Sequence, residues 1–333
     1  MKTPAAGDPF GERTPADFRT QLSVLGCDFA VESTDRALGN LAVDSFGDLP
    51  RYELDQEPRR FTVSLVLTNH KRTWSPSSEP PQPVLSSGNG MLCATMDAGN
   101  FAIVDVAMSR ALICISAAML QFPYHARYEL IEFAFLTLAS RAQSLVPLHA
   151  ACVGRNESGL LLMGSSGTGK STLSLHALAG GMQLHSEDSA FVGSTSLTIT
   201  GVPNYLYLQR GSLDFLGPGK LRRQILSSTQ IRRRSGVQKY QVNLREMHGK
   251  IARAPLQLTA IVMLSRRSVT MQPALKPLSR KTFLERLRRE QPYASGMSNW
   301  GEFERSIADL PAYELRRPQH PDIAVRELQA LLG

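Results

Sequence analysis

The chain is short of cysteine, of aromatic residues and of long apolar runs, and each shortage excludes something. Its four cysteines among 333 residues, Cys27, Cys93, Cys114 and Cys152, stand singly, with no C-x-x-C pair and no histidine at ligand spacing. A disulfide framework and a thiolate zinc site are thereby excluded, and buried free thiols are expected. The longest apolar stretches, Ala111 to Leu120 and Leu130 to Leu138, are too short and too interrupted to span a bilayer. Met1 to Phe18 is polar and rich in Pro, Gly and charge, without the apolar core of a secretory signal. A cytoplasmic protein with no membrane partner is expected.

With 42% hydrophobic and 20% charged residues, the composition is that of a globular protein, long enough for one large or two medium domains. The formal charge of +8 is unevenly distributed: Gly211 to Glu290 holds 18 Lys and Arg against 4 Asp and Glu, so the rest is net acidic. Within it, Lys220, Arg222, Arg223, Arg232, Arg233, Arg234 and Lys239 come with no acid among them. Mutual repulsion predicts a mobile segment that orders on an anionic partner, while a solvated basic face is the plain alternative. Tyr240 alone adds an aromatic ring at its end, which disfavours stacking on single-stranded nucleic acid.

The strongest local signal is Gly164-Ser-Ser-Gly-Thr-Gly-Lys-Ser171, which satisfies G-x-x-x-x-G-K-[ST] at every fixed position. Before it, Gly159 to Met163 is an apolar run of strand length; after it, Thr172 to Ala179 has helical spacing and Gly180-Gly181 supplies a stop. Gly164, Gly167 and Gly169 permit left-handed turns and a close backbone approach, so that amides gather into an anion site with Ser165, Ser166 and Thr168, and the following helix adds its positive end. Lys170 is expected to reach the β- and γ-phosphates of ATP. Ser171 is expected to hold Mg2+, and Thr172 to complete the nucleotide contacts.

Around this motif the chain reads as strand-rich. Residues 1–17 are expected to be a flexible tail, and 18–99 an N-terminal region with strands at Leu41 to Val43 and Phe61 to Leu67. Ser75 to Gly90, dense in Pro and Gly, is expected to be a loop. The main domain is expected over 100–333. It opens with a hairpin of Phe101 to Val106 and Ala111 to Ser116, then a helix over Tyr128 to Ala142 and a strand over Leu148 to Val153. Met182 to Val192 reads as extended and carries Glu187 and Asp188. Leu256 to Leu264 is a buried strand, and Arg280 to Arg288 and Ile323 to Leu332 are helices. There is no internal repeat.

His149, the turn and strand that follow it, the glycine loop, Gly180-Gly181 and then Ser186-Glu187-Asp188 together resemble the catalytic core of the HPr kinase/phosphorylase family and its HPr-kinase-like relatives. The likeness covers about Phe101 to Leu264 and is specific between His149 and Asp188. It implies an α/β fold: a P-loop core with a mixed sheet, similar to the HPr kinase C-terminal domain and to phosphoenolpyruvate carboxykinase, here behind a strand-rich N-terminal region. Two departures matter. Glu187-Asp188 replaces the family's usual Asp-Asp, and no Arg-Pro-Gly-Arg-Asn stretch is present, which argues against phosphorylase activity and against HPr as substrate.

As neighbours on an extended segment, Glu187 and Asp188 would point to opposite faces and do different work, one holding metal and the other receiving the acceptor proton. The residues leave the order open; the resemblance assigns Glu187 to the metal with Ser171, and Asp188 to the base. His149 could orient Asp188 or touch the transferred phosphate, or be a satisfied histidine at a strand edge. Arg210, Arg222, Arg223 and Arg232 to Arg234 are candidates for neutralising phosphate, with Lys239 beside them. The expected function is that of an ATP- and Mg2+-dependent serine kinase acting on a protein or peptide. A non-catalytic nucleotide-binding module and a kinase of a small hydroxylated metabolite are the alternatives. A transporter ATPase is disfavoured by the lack of Leu-Ser-Gly-Gly-Gln. The expected partner is a hydroxyl acceptor, and an acidic one would suit the basic segment; a homo-oligomer is left open.

Overall fold

The computed structural model describes residues 15–72, 74–75, 79–247, 251–270 and 273–333. Most of the tail expected over 1–17 therefore lies outside the described residues. The chain packs as two compact units, Met1–Gly47 with Arg59–Ala139, and Asp48–Pro58 with Ser140–Gly333.

The first unit is a seven-stranded sheet of order β1-β2-β3-β7-β6-β5-β4. Its elements are β1 (Phe18–Val24), β2 (Cys27–Ser33), helix α1 (Arg36–Phe46), β3 (Arg60–Thr68), β4 (Val84–Gly88), β5 (Met91–Asp97), β6 (Asn100–Asp105) and β7 (Arg110–Ser116). Helix α2 (Pro123–His125) then runs through a π-helical stretch (Ala126–Ile131) into α3 (Glu132–Ala142). β2, β3 and β7 run parallel, and β7 through β4 is an antiparallel meander. The core is aromatic: Phe135 stacks on Phe29 at 4.7 Å and on Phe46 at 4.8 Å.

Three expectations fail here. Leu41 to Val43 lies in α1, whose start is set by the Asp35 carboxylate accepting from the Leu38 amide at 2.9 Å. That cap and the buried face of Leu38, Ala42 and Phe46 outweigh the strand preference of three residues. Within the presumed loop from Ser75 to Gly90, Val84–Gly88 pairs along its whole length with β5, because every proline precedes it. The domain boundary expected at 99/100 falls inside a sheet, since β6 pairs with both β5 and β7.

The second unit contains β8 (Leu145–Leu148), β9 (Ala150–Arg155), β10 (Ser158–Met163), α4 (Lys170–Ala179), β11 (Gln183–Ser186), β12 (Ala190–Gly193), β13 (Thr198–Gly201) and β14 (Tyr205–Leu208). It continues with α5 (Lys220–Ser227), β15 (Gln230–Arg232), β16 (Gln238–Asn243), β17 (Leu256–Ser268), β18 (Leu275–Pro277), α6 (Arg280–Glu290), α7 (Trp300–Ile307), β19 (Ala312–Arg317) and α8 (Pro321–Leu332). Nine strands form a mixed sheet in which β10, β17 and β19 are parallel neighbours. A second, three-stranded sheet has the order β14-β16-β15.

β10 shows why the sheet sits between two layers. Leu160 and Leu162 belong to one core with Leu173, Leu175 and Leu178 of α4 and Leu328 of α8, whereas Leu161 and Met163 belong to another with Phe283 of α6 and Phe303 of α7. Strand alternation turns successive side chains to opposite faces, so an unbroken apolar run is what a doubly covered strand requires. The segment from Lys220 to Lys239, expected to be mobile, instead holds α5 and β15, because Ile225, Ile231 and Tyr240 are buried and give the basic residues a frame. Cys27, Cys114 and Cys152 are buried, and none of the four cysteines is in a disulfide among the described residues. No helix among the described residues is long and apolar enough to cross a membrane.

Candidate functional site

The glycine loop joins the end of β10 to the start of α4. Gly164, Gly167 and Gly169 have φ of 152°, 80° and 101°, the left-handed region expected of them. A Cβ on Gly164 would also lie 2.8 Å from Thr168 Oγ1, so space and conformation both require glycine there. The Thr168 amide and hydroxyl both bond to the Ser165 carbonyl, at 3.2 and 2.8 Å, closing the loop into a turn. Helix α4 receives no side-chain cap from its N-cap residue, Gly169. Its amide donors, with the helix dipole behind them, are left directed at the loop.

Lys170 is almost fully buried, and its Nζ donates to the Gly164 carbonyl and to His149 Nε2, the latter at 3.1 Å. His149 Nδ1 lies 3.2 Å from Asp188 Oδ1. An Nε2 that accepts from an ammonium leaves the ring proton on Nδ1, so the neutral ring donates to Asp188. Burial lowers the His149 pKa, which favours the neutral ring. Leu148 to Val153 is thus not one strand, as expected, but two, with His149 at the break between β8 and β9. Gln291 clamps the break: its Oε1 accepts from the His149 amide at 2.8 Å and its Nε2 donates to the His149 carbonyl at 3.2 Å. Nothing in the sequence marks Gln291, which follows an unremarkable charged helix at a distance of 142 residues.

Glu187 and Asp188 occupy a bend between β11 and β12, not an extended run, and both face the same cavity. Their surroundings still separate them. The Ser171 hydroxyl donates to Glu187 Oε1, and Glu187 Oε2 is buried with no hydrogen-bond partner among the described residues. Burial first, and the neighbouring Asp188 charge second, push the Glu187 pKa up to about 7. Burial raises Asp188 as well, but His149, Arg233, Lys170 and Lys239 outweigh it and hold that carboxyl below its ordinary value. Arg233 Nη1 is 3.6 Å from Asp188 Oδ2, and its guanidinium stacks over Tyr207 at 4.9 Å. Gly201 lets β13 come close behind the bend, since a Cβ there would be 2.6 Å from the Ser186 Cβ.

One cavity of about 660 Å³ collects His149, Ser165 through Thr172, Glu187, Asp188, Arg233 and Lys239. Of the arginine candidates, Arg233 lines this cavity, whereas Arg222 bonds the carbonyls of Leu213 and Leu216 and fixes the chain before α5. Among the described residues no three His, Cys, Asp or Glu gather at ligand range. A hard divalent cation bound mainly through nucleotide phosphates and water needs only one or two protein oxygens. Ser171 Oγ and the unpartnered Glu187 oxygen fit that demand.

No family model matches the chain, and no curated protein matches it. Among solved structures, the HPr(Ser) kinase/phosphatase from Coxiella burnetii is similar over 55% of this chain and 88% of its own, at 12% identity and a TM-score of 0.29. A likeness that low carries no argument about function.

Proposed function

We propose that the chain is an ATP- and magnesium-dependent kinase that transfers the γ-phosphoryl group to a hydroxyl, that of a serine in a protein or peptide. The observation that carries the reading is the meeting, in one cavity, of a glycine loop at a helix N-terminus with two adjacent carboxyls whose pKa values are shifted in opposite directions. The loop amides and Lys170 bind the phosphates and oppose the charge that spreads over the transferring group. Magnesium would supply positive charge that offsets the charge of the phosphates. Ser171 and Glu187 would hold it.

Asp188, kept ionised by its cationic neighbours, accepts the proton of the attacking hydroxyl as that oxygen bonds to the γ-phosphorus and the bond to the ADP oxygen breaks. A carboxylate of lowered basicity is adequate, because the loose transition state needs little proton transfer and base catalysis contributes on the order of 10² to 10⁴ in rate. His149, donating to Asp188 from one nitrogen and accepting from Lys170 at the other, fixes both groups in register. Its own backbone is fixed by Gln291. The resemblance between His149 and Asp188 supports the choice of kinase over other nucleotide chemistry.

The test is ATP consumption with and without seryl acceptors, followed by phosphate analysis of the acceptor. Acceptor-dependent ADP and a new phosphoester in equal amounts are expected. Tight nucleotide binding with no turnover on any acceptor would mean that the protein is a nucleotide-binding module instead.

A further inference from the structure

Leu264 and Ser265, near the end of β17, line two cavities. One is the phosphate cavity described above; the other, of about 500 Å³, also shares Ser165 and Thr168 of the glycine loop with it. The second cavity is distinguished by its arginines. Arg266 and Arg267 line it from β17 and Arg286 and Arg289 from α6, against two acids, Glu290 of α6 and Glu314 of β19.

The four guanidiniums differ in what already holds them. Arg286 is half-buried and engaged, 3.4 Å from Glu290 and 3.7 Å from Glu314. Arg266, Arg267 and Arg289 are exposed. Arg266 donates to the Ser166 carbonyl of the loop at 2.7 Å. Arg267 makes no ion pair among the described residues, and Arg289 shares Glu290 with Arg286, at 3.7 Å. Other arginines of α6 are paired away from this cavity: Arg288 bonds both oxygens of Glu304, and Arg280 lies 3.6 Å from Asp309. The surplus of cations is therefore a property of the cavity. Like charges gathered around one hollow repel one another, and an anion placed among them relieves that repulsion.

We infer that this cavity is the docking site for acidic side chains beside the serine that receives the phosphoryl group: carboxylates of the acceptor meet Arg267 and Arg289 while the serine reaches the phosphate cavity. This rests on the kinase reading above and adds to it the acceptor class, an acidic peptide segment. The shared loop residues put the two cavities side by side, so an extended chain, advancing about 3.3 Å per residue, reaches from one to the other within a few residues. Cations supplied by two elements, β17 and α6, suit a segment with several carboxylates. The contact with an acidic acceptor thus moves away from the segment Lys220 to Lys239, where Arg222 is occupied with backbone carbonyls.

The probes are a fluorescent peptide with one serine flanked by glutamates and its counterpart with glutamines, followed by anisotropy for binding and by ADP release for turnover. The full chain is compared as wild type, as Arg267→Gln/Arg289→Gln, and as Arg280→Gln/Arg288→Gln, a control with the same change of charge outside the cavity. Wild type and control are expected to bind the glutamate peptide about tenfold tighter than the glutamine peptide, a preference that two partly exposed charge pairs supply and that added salt weakens. Arg267→Gln/Arg289→Gln is expected to lose that tenfold, with unchanged affinity for magnesium-ATP showing that it is folded. No glutamate preference in the wild type, or an equal loss in both variants, overturns the docking site. Turnover of seryl peptides without the preference leaves the kinase reading standing alone. Arginine-dependent binding of the glutamate peptide without ADP release keeps the docking of acidic chains and overturns the kinase reading.

Discussion

The two chemical halves of the site are built on opposite principles. The glycine loop is built from backbone conformation: three glycines at positive φ lead into α4, whose N-cap residue Gly169 makes no side-chain cap. The bend at Glu187 and Asp188 works through side chains whose charge depends on one another and on His149, Lys170, Arg233 and Lys239. Amide dipoles do not titrate, so the loop should bind phosphate over a wide pH range. The carboxyl pair should be sensitive to pH, to neighbouring charge and to metal. Lys170 belongs to both halves, since its ammonium bonds a loop carbonyl and His149 together.

Removing that shared group should have the largest effect. Lys170→Ala is expected to abolish nearly all transfer, leaving less than about a tenth of activity, with the circular-dichroism spectrum and melting transition retained. An active variant would break the assignment of the loop itself. Next, Asp188→Asn is expected to lower kcat by about 10² to 10⁴ while ATP affinity stays within a few-fold, because the amide keeps shape and loses only the proton-accepting charge. Titrating magnesium against activity for Asp188→Asn and Glu187→Gln sharpens the contrast. Only Glu187→Gln should demand more metal, and the reverse would exchange the two roles.

A smaller effect is expected at the residue that holds the break between β8 and β9. Gln291→Ala should lower kcat about tenfold with little change in the ATP KM, because it frees the His149 backbone without touching phosphate. A purely structural role would lower the melting temperature and leave kcat of the folded protein unchanged. The smallest effect is on stability. With its pKa raised to about 7, Glu187 is protonated in the folded protein at pH 5 to 6, where the unfolded chain has already lost that proton. Its contribution is therefore complete below the unfolded value and lost as pH rises through about 7. Without magnesium, Glu187→Gln should gain melting temperature over the wild type by a few degrees at pH 8 and by much less at pH 5. A constant difference across that range would show that the carboxyl titrates normally.

Much of this site was legible because its requirements are local. Gly164, Gly167 and Gly169 are needed by backbone conformations two to five residues long, and Lys170 and Ser171 follow at fixed helical offsets. Glu187 and Asp188 could be singled out by their place after the loop helix, although not by their orientation, because the bend that turns both into one cavity has no signature of its own. Arg233 could not be separated from Arg222 by composition. One reaches Asp188 from the turn of a hairpin, and the other caps two carbonyls before α5.

What the sequence determined by itself was the set of elements that carry their own periodicity and punctuation: β3, the β6–β7 hairpin, β10, the loop, α4, β17, α6 and α8. It also determined the excess of positive charge and the absence of a disulfide framework. Tertiary structure alone decided the assignment of β6 and β7 to the first unit's sheet, the packing of Phe46 of α1 on Phe135, and the meeting of His149 with Gln291. The physical reason is common to these cases. Strand pairing and side-chain burial are contracts between segments tens to hundreds of residues apart, and the free energy that settles them is absent until both partners are in place.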